Sequence, residues 1–125
     1  MMRYSGASRQ VVIRRPGPRI RPTAGKGRMN GLEKRWADQL EMQKTCGMIL
    51  AWSFESVGLR LADRTFYFPD FLVVTHDHFE LHECKGHWED DARVKFKVAA
   101  ELYPHFIWKA MMWNAKRKEW KIEEL

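Results

Sequence analysis

Residues 66–86 read FYFPDFLVVTHDHFELHECKG. An acid follows a proline, an apolar run leads to a polar turn, and the return leg reaches a second acid two places before a lysine. Apolar runs either side of a polar turn predict a β-hairpin, with TFYFPDFLVV (65–74) and HFELHECK (78–85) as its strands. Directly opposed residues of an antiparallel hairpin share a face, and their numbers have a constant sum. With His76 and Asp77 as the loop, that sum is 153 and Asp70 faces Glu83, with Lys85 projecting on the same side. The two Cβ atoms then stand about 5 Å apart. A three-residue loop would raise the sum to 154 and set Asp70 opposite Cys84 instead.

Two carboxylates held this close and half buried repel each other and lose hydration, which costs several kcal/mol unless something offsets it. A divalent cation does so. Hard oxygen donors select Mg²⁺ or Mn²⁺ over Zn²⁺, and Mg²⁺ keeps several waters beside one or two carboxylates. One such water is a nucleophile in waiting. Lys85 beside it can orient or help deprotonate the water and stabilise charge developing on an attacked phosphate, which is the chemistry of phosphodiester hydrolysis. The competing reading, a diagonal Asp70–Lys85 ion pair on an exposed sheet face, fits poorly with Leu72, Val74 and Leu81 on that same face.

Upstream, Asn30 and Glu33 have the spacing of a capping box, and Leu32, Trp36, Leu40 and Gln43 form one helical stripe that should stop at Gly47. MILAWSF (48–54) reads as a first buried strand, and ESVGLRLADR (55–64) as a polar turn region with room for a short additional strand. A helix is predicted from Glu89, burying Ala92, Phe96, Ala99, Ala100 and Tyr103 and ended by Pro104. HFIWKAMMW (105–113) and EWKIEEL (119–125) follow as strands joined by NAKRK. The expected order is α-β-β-β-α-β-β, an α/β fold with a mixed central sheet flanked by helices.

The chain's 125 residues suffice for one domain with a real core, and 45% hydrophobic content excludes a disordered chain. No apolar run reaches the roughly 18 residues of a membrane span, and no secretory apolar centre is evident, so the cytoplasm is the expected location. Cys46 and Cys84 are too few for a disulfide framework. Zinc at His82, Cys84 and His87 lacks standard ligand spacing, and a Cys84 packed under a helix is the expected alternative. Charge is unevenly placed. Residues 1–28 hold Arg3, Arg9, Arg14, Arg15, Arg19, Arg21, Lys26 and Arg28 and no acid, so a net +6 leaves the remainder at −2. This predicts a flexible basic arm (1–28) that tracks phosphates, ahead of a folded domain at 29–125.

Pro69-Asp70 followed across a hairpin by Glu83-Cys84-Lys85 resembles the PD-(D/E)XK nuclease signature, and the element order resembles that superfamily's restriction-endonuclease-like α-β-β-β-α-β core. A Y-x-x-DF strand and an E-x-K-G turn are similar to short phage-encoded members. The resemblance covers residues 30 to 112 and leaves the arm outside. It implies that Asp70 and Glu83 bind Mg²⁺ or Mn²⁺, that the Cys84 backbone carbonyl adds a ligand, that Glu33 completes the site, and that Lys85 is catalytic. It also implies that the second helix borders the site, so that Arg93 or Lys97 would hold the scissile phosphate while Arg14, Arg15, Arg19 and Arg21 add DNA contacts. The expected function is a phage-type metal-dependent DNA endonuclease. A Holliday junction is one substrate, since a basic arm and a homodimer would suit crossing duplexes; a nickase or linear-duplex endonuclease would use the same residues. The alternative from another class is a non-catalytic nucleic-acid-binding protein relying on the arm.

Overall fold

The structure is a computed structural model that describes residues 19–23 and 27–125. In chain order these form β1 (Ile20–Pro22), α1 (Gly31–Thr45), β2 (Ala51–Phe54), β3 (Val57–Ala62), β4 (Thr65–Tyr67), β5 (Phe71–Val74), β6 (Phe79–Lys85), α2 (Asp90–Leu102), β7 (Ile107–Asn114) and β8 (Glu119–Glu124). The fold is mixed α/β with two sheets among the described residues. A five-stranded sheet has the order β2-β5-β6-β7-β8, antiparallel throughout except that β6 and β7 run parallel. That parallel pair needs a crossover, which α2 supplies. A three-stranded antiparallel sheet has the order β1-β3-β4.

Strand alternation divides the core in two. One face of the large sheet offers Phe71, Val73, Cys84 and Met111 to Trp36, Ala37 and Leu40 of α1, with Ile49. The opposite face offers Leu81, Trp108 and Ala110 to Phe96 and Ala99 of α2, and to Leu59 and Tyr67 of the small sheet. Cys84 is thus packed beneath a helix, as expected.

Helix α1 begins where its sequence says. The Asn30 side chain accepts from the Glu33 N–H, and the Glu33 carboxylate accepts from the Asn30 N–H, each at 2.8 Å. Its chain leaves through Gly47 at φ +80°, a conformation glycine adopts without the Cβ clash of other residues. Helix α2 has two acids, Asp90 and Asp91, in its first turn, where the helix dipole favours them. Pro104 follows its last residues and cannot continue it.

Taken without the small sheet, the elements of the large sheet and its helices run α-β-β-β-α-β-β, as read from the sequence. Four details differ. Residues 65–74 are not one strand: Pro69 lacks an N–H, the chain leaves the ladder at 68–70, and β4 and β5 belong to different sheets. Val57–Ala62 is a full six-residue strand, alternating Val57, Leu59 and Leu61 toward the core. MILAWSF is buried only at Ile49, because β2 is an edge strand with a single neighbour; Met48 and Leu50 are exposed and Ala51–Phe54 half-buried. Residues 20–22, assigned to the arm by charge, pair with the edge of β3, and the Arg19 carbonyl accepts from the Arg60 N–H at 2.9 Å. The rest of the arm, including Arg14 and Arg15 and the QVVI segment at 10–13, lies outside the described residues.

Candidate functional site

The β5–β6 hairpin adopts the two-residue-loop register. Phe71 pairs with His82, Leu72 with Leu81, Val73 with Glu80 and Val74 with Phe79, and the Thr75 N–H donates to the His78 carbonyl at 2.9 Å. One step beyond the end of β5, Asp70 therefore meets Glu83. The contact is direct: the Asp70 N–H donates to Glu83 Oε1 at 3.3 Å, and Asp70 Oδ2 accepts from the Cys84 N–H at 2.9 Å. The break at Pro69 is what turns the Asp70 main chain toward Glu83, since a residue inside the ladder would have its N–H directed to a neighbouring strand.

Both carboxylates are buried, Asp70 at 8% and Glu83 at 7% exposure. Lys85 Nζ lies 3.3 Å from Glu83 Oε2. The hydroxyl of Tyr67 donates to Glu83 Oε1 at 2.7 Å. Sequence reasoning quoted this tyrosine in the Y-x-x-DF stretch without assigning it a role; period-two alternation from the core-facing Leu59 side of the hairpin gives no hint that it reaches across to β6. Burial is the largest cause that pushes the Asp70 carboxyl up to about 8, with the Glu83 charge second; the Cys84 N–H and Lys85 oppose them. Burial likewise raises Glu83, and burial followed by the Glu83 charge raises Tyr67. For Lys85, burial works against the charge, but Glu83, Asp70 and Glu33 outweigh it and hold the ammonium above its ordinary value. The Cys84 thiol is pushed well above the thiol range by burial and the two acids, so it is not a thiolate ligand.

Glu33 stands further out. It acts electrostatically on Asp70, Cys84 and Lys85, while its Oε1 is held in the α1 cap by the Asn30 N–H. Gly86 lets α1 approach the end of β6, since a Cβ there would come within 3.3 Å of Leu32 Cδ1. Among the described residues, no three of His, Cys, Asp and Glu form a ready-made metal cluster. What exists is a close pair of hard oxygen donors whose mutual repulsion and burial a divalent cation would relieve, so the donor set fits Mg²⁺ or Mn²⁺.

A cavity of about 280 Å³ opens beside the pair, bounded by Glu83, Lys85, Phe66, Phe68, Trp88 and Lys95. Lys95 is the α2 cation at this opening. Arg93, favoured from sequence together with Lys97 because the two share a helix face, pairs with Glu123 of β8 at 3.0 Å, and both line a separate recess with that acid. The helix turns its Ala92–Lys95 face to the cavity instead, an i, i+3 relation that the 93/97 spacing excludes. Of the arm arginines, Arg19 is held by its main chain, its N–H donating to the Tyr103 hydroxyl at 2.9 Å. Arg21 lays its guanidinium 4.2 Å from the Phe66 ring centroid, beside the cavity wall.

The opposite sheet face carries a second polar cluster. Glu80 contacts His78 at 2.6 Å, His82 at 2.8 Å and Lys109 at 3.1 Å. The Trp36 indole N–H donates to His82 Nδ1 at 3.0 Å, which leaves the His82 proton on Nε2 to donate to Glu80. With both nitrogens so engaged, His82 has no lone pair for zinc. Comparison with protein-family models, with curated proteins and with solved structures finds no match.

Proposed function

We propose that the chain is a metal-dependent DNA endonuclease of PD-(D/E)XK type, hydrolysing phosphodiester bonds. The observation that carries this reading is the pairing of Asp70 with Glu83, both buried, with Lys85 3.3 Å from Glu83, at the edge of a cavity that also holds Lys95. A structural ion pair would need one acid. With both acids ionised, two buried carboxylates and a single lysine carry an excess negative charge, which the metal-free protein relieves by holding protons and a cation would offset.

Asp70 and Glu83, with the Cys84 carbonyl and Glu33, would hold Mg²⁺ or Mn²⁺. When bound, the cation supplies Lewis acidity toward a phosphate oxygen and a water activated for attack. The remaining work falls to side chains of this chain. Tyr67 and the Asp70 N–H fix Glu83 Oε1, so the second oxygen is the one left for Lys85 and ligation. Lys85, held above its ordinary value by Glu83, Asp70 and Glu33, would donate hydrogen bonds and stabilise negative charge developing on the phosphate. Lys95 lies where it can hold a neighbouring phosphate.

The test is incubation of the full chain with end-labelled four-way junction, nicked, linear duplex and single-stranded DNA, in Mg²⁺, in Mn²⁺ and in chelator, beside a Lys85→Ala protein. Metal-dependent cutting that the variant lacks supports the reading, and the ranking of substrates says whether branched DNA such as a Holliday junction is preferred. Salt-sensitive binding with no cutting of any substrate would replace it with a non-catalytic DNA-binding protein.

A further inference from the structure

Phosphodiester hydrolysis leaves one wall of the cavity without a role. Phe66 and Phe68, two residues apart on an extended segment, place their rings 6.3 Å apart and within 29° of parallel, while Tyr67 between them turns into the core. Phe68 remains 44% exposed, although burying such a side chain is favourable. The ring packs over the backbone of Gly58, where an added Cβ would lie 2.6 Å from Phe68 Cε1 and push the ring from its present seat. One cation lies against these rings, and a second faces them across the opening. Arg21 lies 4.2 Å from the Phe66 centroid and 6.0 Å from that of Phe68; across the opening, Lys85 Nζ is 5.9 Å from the Trp88 centroid.

An exposed Phe68 ring beside Arg21, in an opening of about 280 Å³ that Lys85 and Lys95 also line, suits a flat apolar-faced group tethered to negative charge. A nucleobase with its phosphates has that chemistry, and stacking on aromatic side chains is the sequence-tolerant way of holding it. A base inside a duplex already has both faces covered by its neighbours and cannot stack on a protein ring without leaving the helix. We propose that the cavity binds an unpaired base stacked on Phe68, so that the strand delivered to Asp70 and Glu83 is single-stranded or locally unpaired DNA. The proposal deepens the endonuclease reading and rests on it for the identity of the polymer.

Its test is binding rather than cleavage. The full chain, in chelator, is titrated against a fluorescein-labelled oligothymidylate and against an abasic strand of equal length and charge, with anisotropy as the readout. The wild-type protein should bind the thymidylate strand about tenfold tighter, and Phe68→Ala should abolish that preference while leaving abasic binding unchanged. Equal binding of the two strands by the wild-type protein, or a preference that survives both Phe68→Ala and Phe66→Leu, overturns it. Because chelator silences any metal-dependent step, failure to cut DNA would leave a base preference standing, and absence of a preference would leave cutting by the acid pair standing.

Discussion

Asp70 is buried against a second acid, and its environment makes a sign that can be measured. Its carboxyl is raised from 3.8 to about 8, chiefly by burial and then by Glu83. A group whose folded pKa is raised contributes stability that is full below its unfolded pKa and is lost as pH rises through the folded one. In chelator, the midpoint of thermal unfolding should therefore fall as pH rises between these two values, and Asp70→Asn should flatten that fall. A cation that binds the ionised pair stabilises only the folded state, so Mn²⁺ should raise the midpoint more near the alkaline end of the window than near its acid end. An equal rise at both ends, or one that persists in Asp70→Asn, would show that the cation binds elsewhere. Tyr67 is the neighbouring test. Tyr67→Phe keeps the ring in the core but removes the shorter of two donors to Glu83 Oε1, and urea unfolding should register a loss of about 1 kcal/mol, as for a single hydrogen bond removed from an acceptor that keeps another. A loss close to zero would mean that the hydroxyl does not hold the acid.

At the scale of elements, the start of α1 offers a separable prediction. Asn30 and Glu33 exchange hydrogen bonds at 2.8 Å, so Asn30→Ala should cost about 1 kcal/mol in chemical unfolding; an unchanged midpoint would show that the first turn is held by packing alone. This cap was legible in the sequence because it is local, four residues fixing their own geometry. The hairpin register was legible for a related reason: a two-residue loop dictates every opposed pair, and so brings Asp70 to Glu83 before any packing is known. What the sequence concealed depends on partners distant along the chain. Nothing in MILAWSF says that β2 has one neighbour rather than two, because edge and centre positions are decided by the assembled sheet. In sequence, residues 65–74 read as one strand through Pro69, although proline cannot donate to a ladder, and whether the chain resumes in the same sheet or another depends on β3, with which β4 pairs. That Lys95 and not Arg93 or Lys97 lines the cavity was hidden at the same level, since helical spacing tells which residues share a face but not which face meets the cavity.

Across the whole molecule, charge and chemistry are separated in sequence. Asp70, Glu83 and Lys85 all belong to the β5–β6 hairpin and its approach, whereas residues 1–28 hold eight cations and no acid. A phosphate backbone approaching two buried carboxylates needs compensating positive charge nearby, and the described part of the arm shows one way to supply it, with Arg21 laid on Phe66 at the cavity wall. Residues 1–18 contribute Arg3, Arg9, Arg14 and Arg15. If these neutralise phosphates, each releases counterions, and deleting residues 1–18 should make the slope of log affinity for duplex DNA against log salt shallower by up to about 3.6, or about 2.8 for a single strand. The rate of metal-dependent cutting at saturating DNA should stay the same, because the deletion removes affinity without touching the acid pair or its lysine. A slope that does not move on deletion would mean that the phosphates are met entirely by the folded body, by cations such as Lys95 and Arg21. A saturating rate that falls with the deletion would instead give the arm a part in positioning the scissile bond.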